Sequence, residues 1–322
     1  MHTKARDEIF ESIKAMFNIN IVAYAQIELG YLNVKWKLET DQGKLFVKKY
    51  SKTRYPEKLM KGLEISLSHQ AHLHANGIPS PKLFSYAGNY VLSTPSGARF
   101  VLMSFCAGNM IKPGSANEHQ MHSLGNITGS MHELLNANPA SGLQMHWHIW
   151  TKESLQASWT SRWSEAHSLQ SEATMAALDI QKKIIQETDI SIFSQCEPGW
   201  CHWDLFVDNI LFAPESVAAI LDFDRVHYVY PEFDISRAIL SCALDGNELR
   251  IELVSAFVAG YRAHRSLSVE KLIRSIQLTW WKEAGWLEVD KAQDYAPLRR
   301  FRQENIWVGS NWGRLSEIFS GI

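Results

Sequence analysis

The chemistry this chain can perform is concentrated in one short stretch. His202, Asp204 and Asn209 stand in the pattern H-x-D-x-x-x-x-N, and Leu221-Asp222-Phe223-Asp224 follows after two short apolar runs, Ile210 to Phe212 and Val217 to Leu221, separated by a turn at Pro214. Phosphoryl transfer asks for few protein groups. One carboxylate orients an attacking hydroxyl and accepts its proton, while an amide and a second carboxylate hold magnesium on the phosphates. Asp204, Asn209 and Asp222 are the residue types for those roles in that order. A lone H-x-D is a weak signal; a downstream Asn and a hairpin-placed Asp make it specific. The bland alternative makes Asp204 a helix cap, Asn209 a turn former and Asp222 a strand-end polar residue.

Such a site also needs a strand lysine for the nucleotide phosphates and a carboxylate to orient it. Lys48 follows Leu45-Phe46-Val47, and period-two geometry puts Phe46 and Lys48 on one sheet face, where Phe46 can lie against a purine while Lys48 reaches the phosphates. Lys49, with Val47 in the apolar role, is the competing reading. Glu64, in the following helical segment, is the expected partner of Lys48. The run Leu102-Met103-Ser104-Phe105-Cys106 leads into Ala107-Gly108, and the backbone of Met103, Ser104 and Cys106 is expected to meet the base edge of ATP or GTP.

The elements that must position these residues show in the periodicity. Ile9, Phe10, Ile13, Met16 and Phe17 recur at helical spacing, whereas Leu32, Val34, Trp36 and Leu38 alternate with polar residues ahead of a turn at Asp41-Gln42-Gly43. Leu45 to Tyr50 is the next strand. Tyr55 to Asn76 reads as a helix stopped by Asn76-Gly77 and the prolines at 79 and 81. Further strands are expected near Tyr90 to Ser93 and Arg99 to Ser104. Beyond Ala107-Gly108 helical spacing dominates, with Leu124, Ile127, Met131, Leu134 and Leu135 on one face and several more amphipathic helices from about Asp234. The expectation is an α+β chain: a small antiparallel-sheet, nucleotide-binding lobe over 1–105, a larger helical catalytic and substrate lobe over 106–322, and a ligand cleft at their junction.

The 322 residues carry 32 Lys and Arg against 34 Asp and Glu, so no global field recruits nucleic acid. No apolar run approaches a membrane span, the N-terminus is not a signal peptide, and four scattered cysteines fit reduced thiols in the cytoplasm. The sequence carries no signal for an oligomeric state. His69, His72 and His74, and His146 and His148 around Trp147, lack the i, i+4 spacing or completing ligands of a zinc site, and read as surface or partly buried imidazoles. Trp280, Trp281 and Trp286 read as core rather than a sugar platform, and Arg299, Arg300 and Arg302 as a solvated helix face.

Gly30-Tyr31-Leu32-Asn33, Leu45-Phe46-Val47-Lys48, Gly77-Ile78-Pro79-Ser80-Pro81, Leu124-Gly125 with Met131-His132, His202 to Asn209, and Asp222 with Asp234 together resemble the aminoglycoside phosphotransferase and choline kinase superfamily. Asp204 to Phe212 is most similar to type II homoserine kinases. The resemblance implies a bilobal protein-kinase-like fold, with Asp204 as catalytic base, Asn209 and Asp222 as Mg2+ ligands, Lys48 and Glu64 as the phosphate-binding pair, and His202 and buried Asp234 bracing the catalytic loop. Two departures stand out. Trp203 occupies a position usually small or basic, and Asp222-Phe223-Asp224 lacks the glycine of protein kinases.

The implied activity is transfer of the γ-phosphate of ATP or GTP to a hydroxyl of an amino alcohol, amino acid such as homoserine, or antibiotic. A homoserine carboxylate would call for a cation such as Arg225 or Arg237. The competing readings are a catalytically silent kinase-fold binding or regulatory protein, motivated by Trp203 and the single Gly30, and a protein serine/threonine kinase, opposed by the absent A-P-E segment.

Overall fold

A computed structural model describes residues 2–28, 33–138, 142–286 and 296–322. They form two compact units, Met1–Gly108 with Ala218–Arg225, and Asn109–Val217 with Val226–Ile322. The return of Ala218–Arg225 to the first unit is something a single division at 105–106 does not provide for.

The first unit is built on a five-stranded sheet. After helix α1 (His2–Phe17) come β1 (Ile21–Ile27), β2 (Val34–Thr40) and β3 (Gly43–Lys49), then helix α2 (Met60–Ala75), β4 (Leu92–Ser93) and β5 (Arg99–Ser104). The strand order is β1-β2-β3-β5-β4, with antiparallel neighbours. Alternation along β3 divides its side chains. Leu45 and Val47 pack with Trp36, Leu38, Ile9 and Ile13 on the α1 side, while Phe46 and Tyr50 join Val101, Met103, Leu63 and Leu67 on the α2 side. Each fully buried Leu or Ile contributes about 1.5–3 kcal/mol, so covering both faces fixes the register. β1 was not expected from the sequence, because Val22 to Gln26 are mostly exposed and an edge strand without a buried stripe leaves no alternation to read. Gly30, Tyr31 and Leu32, expected to cover the phosphates and open a strand, lie outside the described residues. The returning segment is held by a backbone bond from Ile220 N–H to the Pro79 carbonyl at 2.7 Å.

The second unit is mainly helical: α3 (Glu118–Asn136), α4 (Lys152–Ser168), α5 (Glu172–Glu187), then β6 (Gly199–Cys201), β7 (Ile210–Phe212), β8 (Val217–Ile220, all but its first residue in the first unit) and β9 (His227–Val229), and finally α6 (Glu232–Ala243), α7 (Ile251–Arg262), α8 (Val269–Glu283) and α9 (Ala296–Asn311). A capping box starts α3, the Asn117 side chain accepting from Gln120 N–H and the Gln120 side chain accepting from Asn117 N–H. The α3 and α7 backbones touch at glycines: a Cβ at Gly125 would collide with the Phe257 carbonyl, and one at Gly260 with the His122 carbonyl. β6 and β9 pair antiparallel, placing the segment after Cys201 beside α6. Trp280 and Trp281 are buried core residues whose ring N–H groups donate to the carbonyls of Asn305 and Trp150. The side chain of Trp286 lies outside the described residues.

Candidate active site

In the helical unit the H-x-D-x-x-x-x-N loop is tied down from beneath by Asp234, in the first turn of α6. Its carboxylate is fully buried and accepts from His202 N–H at 2.7 Å, Trp203 N–H at 2.8 Å and His132 Nε2 at 3.1 Å. Burial alone would raise its pKa, but the hydrogen bond and charge of His132 and the contacts of His202 outweigh burial and hold it below the ordinary value. His202 is fully buried, and its Nδ1 lies 3.3 Å from the Asp204 backbone nitrogen. Asn209 closes the loop: its Nδ2 donates to the Asp204 carbonyl at 2.8 Å and to Asp204 Oδ2 at 3.2 Å. With the amide nitrogen spent inward, Asn209 Oδ1 accepts no hydrogen bond among the described residues and could hold a cation.

Trp203 does not disrupt this loop. It sits at φ 58°, a left-handed conformation that costs a bulky residue about 1–2 kcal/mol, and the surroundings hold it there. Asp234 takes its N–H, Arg237 donates to its carbonyl, the Lys282 ammonium lies 5.0 Å over its ring, and His146 and His227 meet the ring edge-on. The backbone turn is therefore made by packing a large ring rather than by a small residue.

In the sheet unit, Lys48 is 4% exposed and its Nζ lies 2.8 Å from both Asp222 Oδ1 and Asp224 Oδ2. Burial would lower its pKa, but the two carboxylates overcome that and hold it above the ordinary lysine range. Lys49 points to the opposite face, where it lines a cavity of about 370 Å³ with Val34, Lys52 and Ser96. Asp222 takes φ 61°, which an aspartate tolerates better than most residues. Phe46 packs at the α2-side cluster that contains Met103.

Glu64 is not brought to Lys48. Its two carboxylate oxygens accept from Tyr90 N–H at 2.6 Å and Val91 N–H at 2.9 Å, satisfying the backbone ahead of β4. The aspartates of 222–224 take the lysine instead. In the connector, Ser104 N–H donates to the Lys82 carbonyl and Phe105 N–H to the Lys44 carbonyl, whereas Cys106 N–H has no partner among the described residues.

Two further residues gather around Lys48 that sequence periodicity does not single out. Asp224 is buried and accepts from Tyr50 at 2.9 Å and Tyr55 at 3.1 Å as well as from Lys48. Lys35 lies directly across from Lys48 in the β2–β3 pairing, so both ammonium groups share one sheet face. Burial lowers the Lys35 pKa, with Asp222 opposing that shift. Counting outward from the two-residue turn at Asp41-Gln42 would have paired Lys35 with Lys48; Asp224 left only the D-F-D spacing as a signal.

The basic run near the C-terminus is also different from expectation. Arg299 is exposed, but Arg300 is buried on α9 with its Nη1 2.6 Å from Asp208 Oδ2, beside Asn209, and its Nε 3.3 Å from Glu304 Oε1. Arg237, a candidate for a substrate carboxylate, is buried and engaged by Glu283 and the Trp203 carbonyl. Among the described residues no group of three or more His, Cys, Asp or Glu side chains could hold a metal, and no helix is long and apolar enough to cross a membrane.

Residues 23–268 match the profile of a family described as the phosphotransferase enzyme family. The homoserine kinases of Rhodopseudomonas palustris (strain BisA53) and Zymomonas mobilis are 24% and 23% identical, the first covering 82% of this chain and 77% of the relative, the second 91% of each. Among solved structures, a microcompartment-associated aminopropanol kinase aligns with a TM-score of 0.61 at 16% identity, covering 97% of this chain and 98% of that one. Spectinomycin phosphotransferase APH(9)-Ia, in complex with ADP and spectinomycin, aligns at 0.59 and 15% identity, covering 98% and 97%. The α+β architecture seen here, a small antiparallel sheet and a larger set of helices, is thus a kinase-like fold.

Proposed function

The chain belongs to the phosphotransferase enzyme family, and on that premise we propose that it transfers the γ-phosphoryl group of ATP or GTP to a hydroxyl of a small amino alcohol or amino acid, homoserine being the first acceptor to test. The observation that carries this reading is the Asn209 amide donating to the Asp204 carboxylate at 3.2 Å within a loop fixed by Asp234. It holds a proton acceptor and a cation-facing oxygen side by side before any ligand arrives. Preorganisation of this kind is the main protein contribution to phosphoryl transfer.

In this reading Asp204 orients the acceptor hydroxyl and takes its proton late in a loose transition state. Lys48 neutralises phosphate charge, and Cys106 N–H meets the base. Asn209 Oδ1 and the Asp222 carboxylate are hard oxygen donors of the type that would hold magnesium. Once bound, the ion would neutralise charge on the phosphates. The names of the sequence relatives support homoserine, although Arg237 is already engaged and a carboxylate-bearing acceptor must use another cation. We place the enzyme in the cytoplasm, with nucleotide and small-molecule partners and neither nucleic acid nor membrane.

The test is nucleotide consumption across homoserine, amino alcohols, sugars and antibiotics, with wild type and Asp204→Asn. Turnover with the identified acceptor should fall by about two to four orders of magnitude in the variant while nucleotide affinity changes little. Undiminished turnover in folded Asp204→Asn refutes the assignment. Nucleotide binding without transfer to any acceptor would point to the silent binding protein instead.

A further inference from the structure

We infer that Asp224, pinned by the hydroxyls of Tyr50 and Tyr55, is the positioning residue that orients Lys48, in the place expected of Glu64. The inference rests on the reading that Lys48 binds nucleotide phosphates. The two carboxylates on Lys48 are not equivalent. The Asp222 side chain is 37% exposed, whereas that of Asp224 is 4% exposed. Asp224 Oδ1 accepts from Tyr50 at 2.9 Å, and Oδ2 accepts from Tyr55 at 3.1 Å and Lys48 at 2.8 Å. Three donors on its two oxygens fix the orientation of this carboxylate. Burial, together with the Asp224 charge, pushes both phenols above their ordinary pKa, so they remain protonated donors.

The consequence is a division of labour. Asp222 is the exchangeable partner, exposed enough to turn toward a cation. Asp224 is the permanent one, keeping a buried counter-charge on Lys48 when Asp222 is engaged elsewhere. Glu64 cannot share this task, because both its oxygens already satisfy the backbone N–H groups of Tyr90 and Val91.

The experiment compares binding of Mg·ATP and of adenosine, by calorimetry, to the full chain and to Asp224→Asn, the double variant Tyr50→Phe/Tyr55→Phe, and Glu64→Gln. Adenosine carries no phosphate for Lys48 to hold, so the ratio of the two affinities isolates lysine positioning from general damage. Asp224→Asn should lower that ratio about tenfold or more, the loss of one charge-assisted contact. The tyrosine pair keeps the carboxylate but removes its anchors, and should lower the ratio about threefold to tenfold. It decides the matter if Asp224→Asn does not fold. Glu64→Gln should lower the melting temperature while changing the ratio less than about threefold. An unchanged ratio in the Asp224 and tyrosine variants, equal losses of ATP and adenosine binding, or a collapse of the ratio in Glu64→Gln overturns the inference. A wild-type chain that binds adenosine and Mg·ATP equally removes the phosphate-binding reading of Lys48 itself, a result distinct from any variant effect.

Discussion

Asp234 and Glu304 are both carboxylates buried in the helical unit, yet the first is held below its ordinary pKa and the second is pushed up to about 8. Burial acts on both in the same direction. The difference lies in the donors. Asp234 accepts from two backbone N–H groups and an imidazole, whereas Glu304 has the Arg300 guanidinium 3.3 Å from Oε1, an atom that accepts no hydrogen bond among the described residues. Charge proximity without hydrogen-bond geometry does not offset desolvation. The loop from His202 to Asn209 is thus braced by the satisfied carboxylate, and the α9 cluster that reaches Asp208 is built around an unsatisfied one.

The comparison breaks most readily at Asp234. Asp234→Ala leaves the His202 and Trp203 amides and His132 facing a void, and should destabilise the chain by about 3–5 kcal/mol in urea denaturation, with loss of turnover. Because the folded pKa is depressed, the Asp234 contribution is present above the ordinary value of 3.8 and is lost as pH falls through the folded value. The variant should therefore lose less stability than wild type on acidification below about pH 4. A loss under about 1 kcal/mol would mean that the loop holds its shape without the brace.

Glu304→Gln should do the opposite. A carboxyl with a raised folded pKa contributes most below its unfolded value of 4.5, and that contribution is lost as pH rises through about 8. The substituted amide cannot ionise beside Glu283 and Asp208, so the variant should exceed wild type at pH 9 by on the order of 2–4 kcal/mol, the advantage shrinking toward pH 5. Parallel melting curves across that range would place a firm donor on Glu304.

How far the sequence led differs between these regions for a physical reason. The loop from His202 to Asn209 was legible because its geometry is local: the chemistry needs fixed types at fixed spacing, and Asn209 reaches Asp204 across one short turn. The core strand β2 was legible because Trp36 and Leu38 are buried on one face and alternate with less buried residues. Exposed β1 gave no such signal, and α4 carries only Leu155, Trp159 and Ala166 as buried residues, too sparse a stripe to single out. The partners of Lys48, Glu64 and Arg300 depend on contacts between residues far apart in the chain, where several carboxylates qualify by type and only packing selects one. Packing gives Glu64 to the Tyr90 and Val91 amides and buries Arg300 against Asp208.

The finest distinction the comparison allows lies one bond beyond Asp234. His132 places Nε2 3.1 Å from the Asp234 carboxylate and Nδ1 3.0 Å from the Tyr261 hydroxyl. Tyr261 is 1% exposed, and its hydroxyl has no access to bulk water. Tyr261→Phe keeps the ring and removes only the hydroxyl partner of the imidazole. The expected loss is about 1 kcal/mol in urea denaturation, the ordinary worth of one buried hydrogen bond, because Asp234 retains both backbone donors. Turnover should change less than about threefold, since neither Asp204 nor Asn209 moves when those donors hold. A loss of about 3 kcal/mol or more, on the scale of breaking a buried ion pair, together with a rise in the acid midpoint of unfolding, would show that the imidazole rather than the backbone holds Asp234 ionised. The brace would then be a His132–Asp234 pair, and the contrast with Arg300 and Glu304 would rest on the quality of one ion pair instead of on the count of donors.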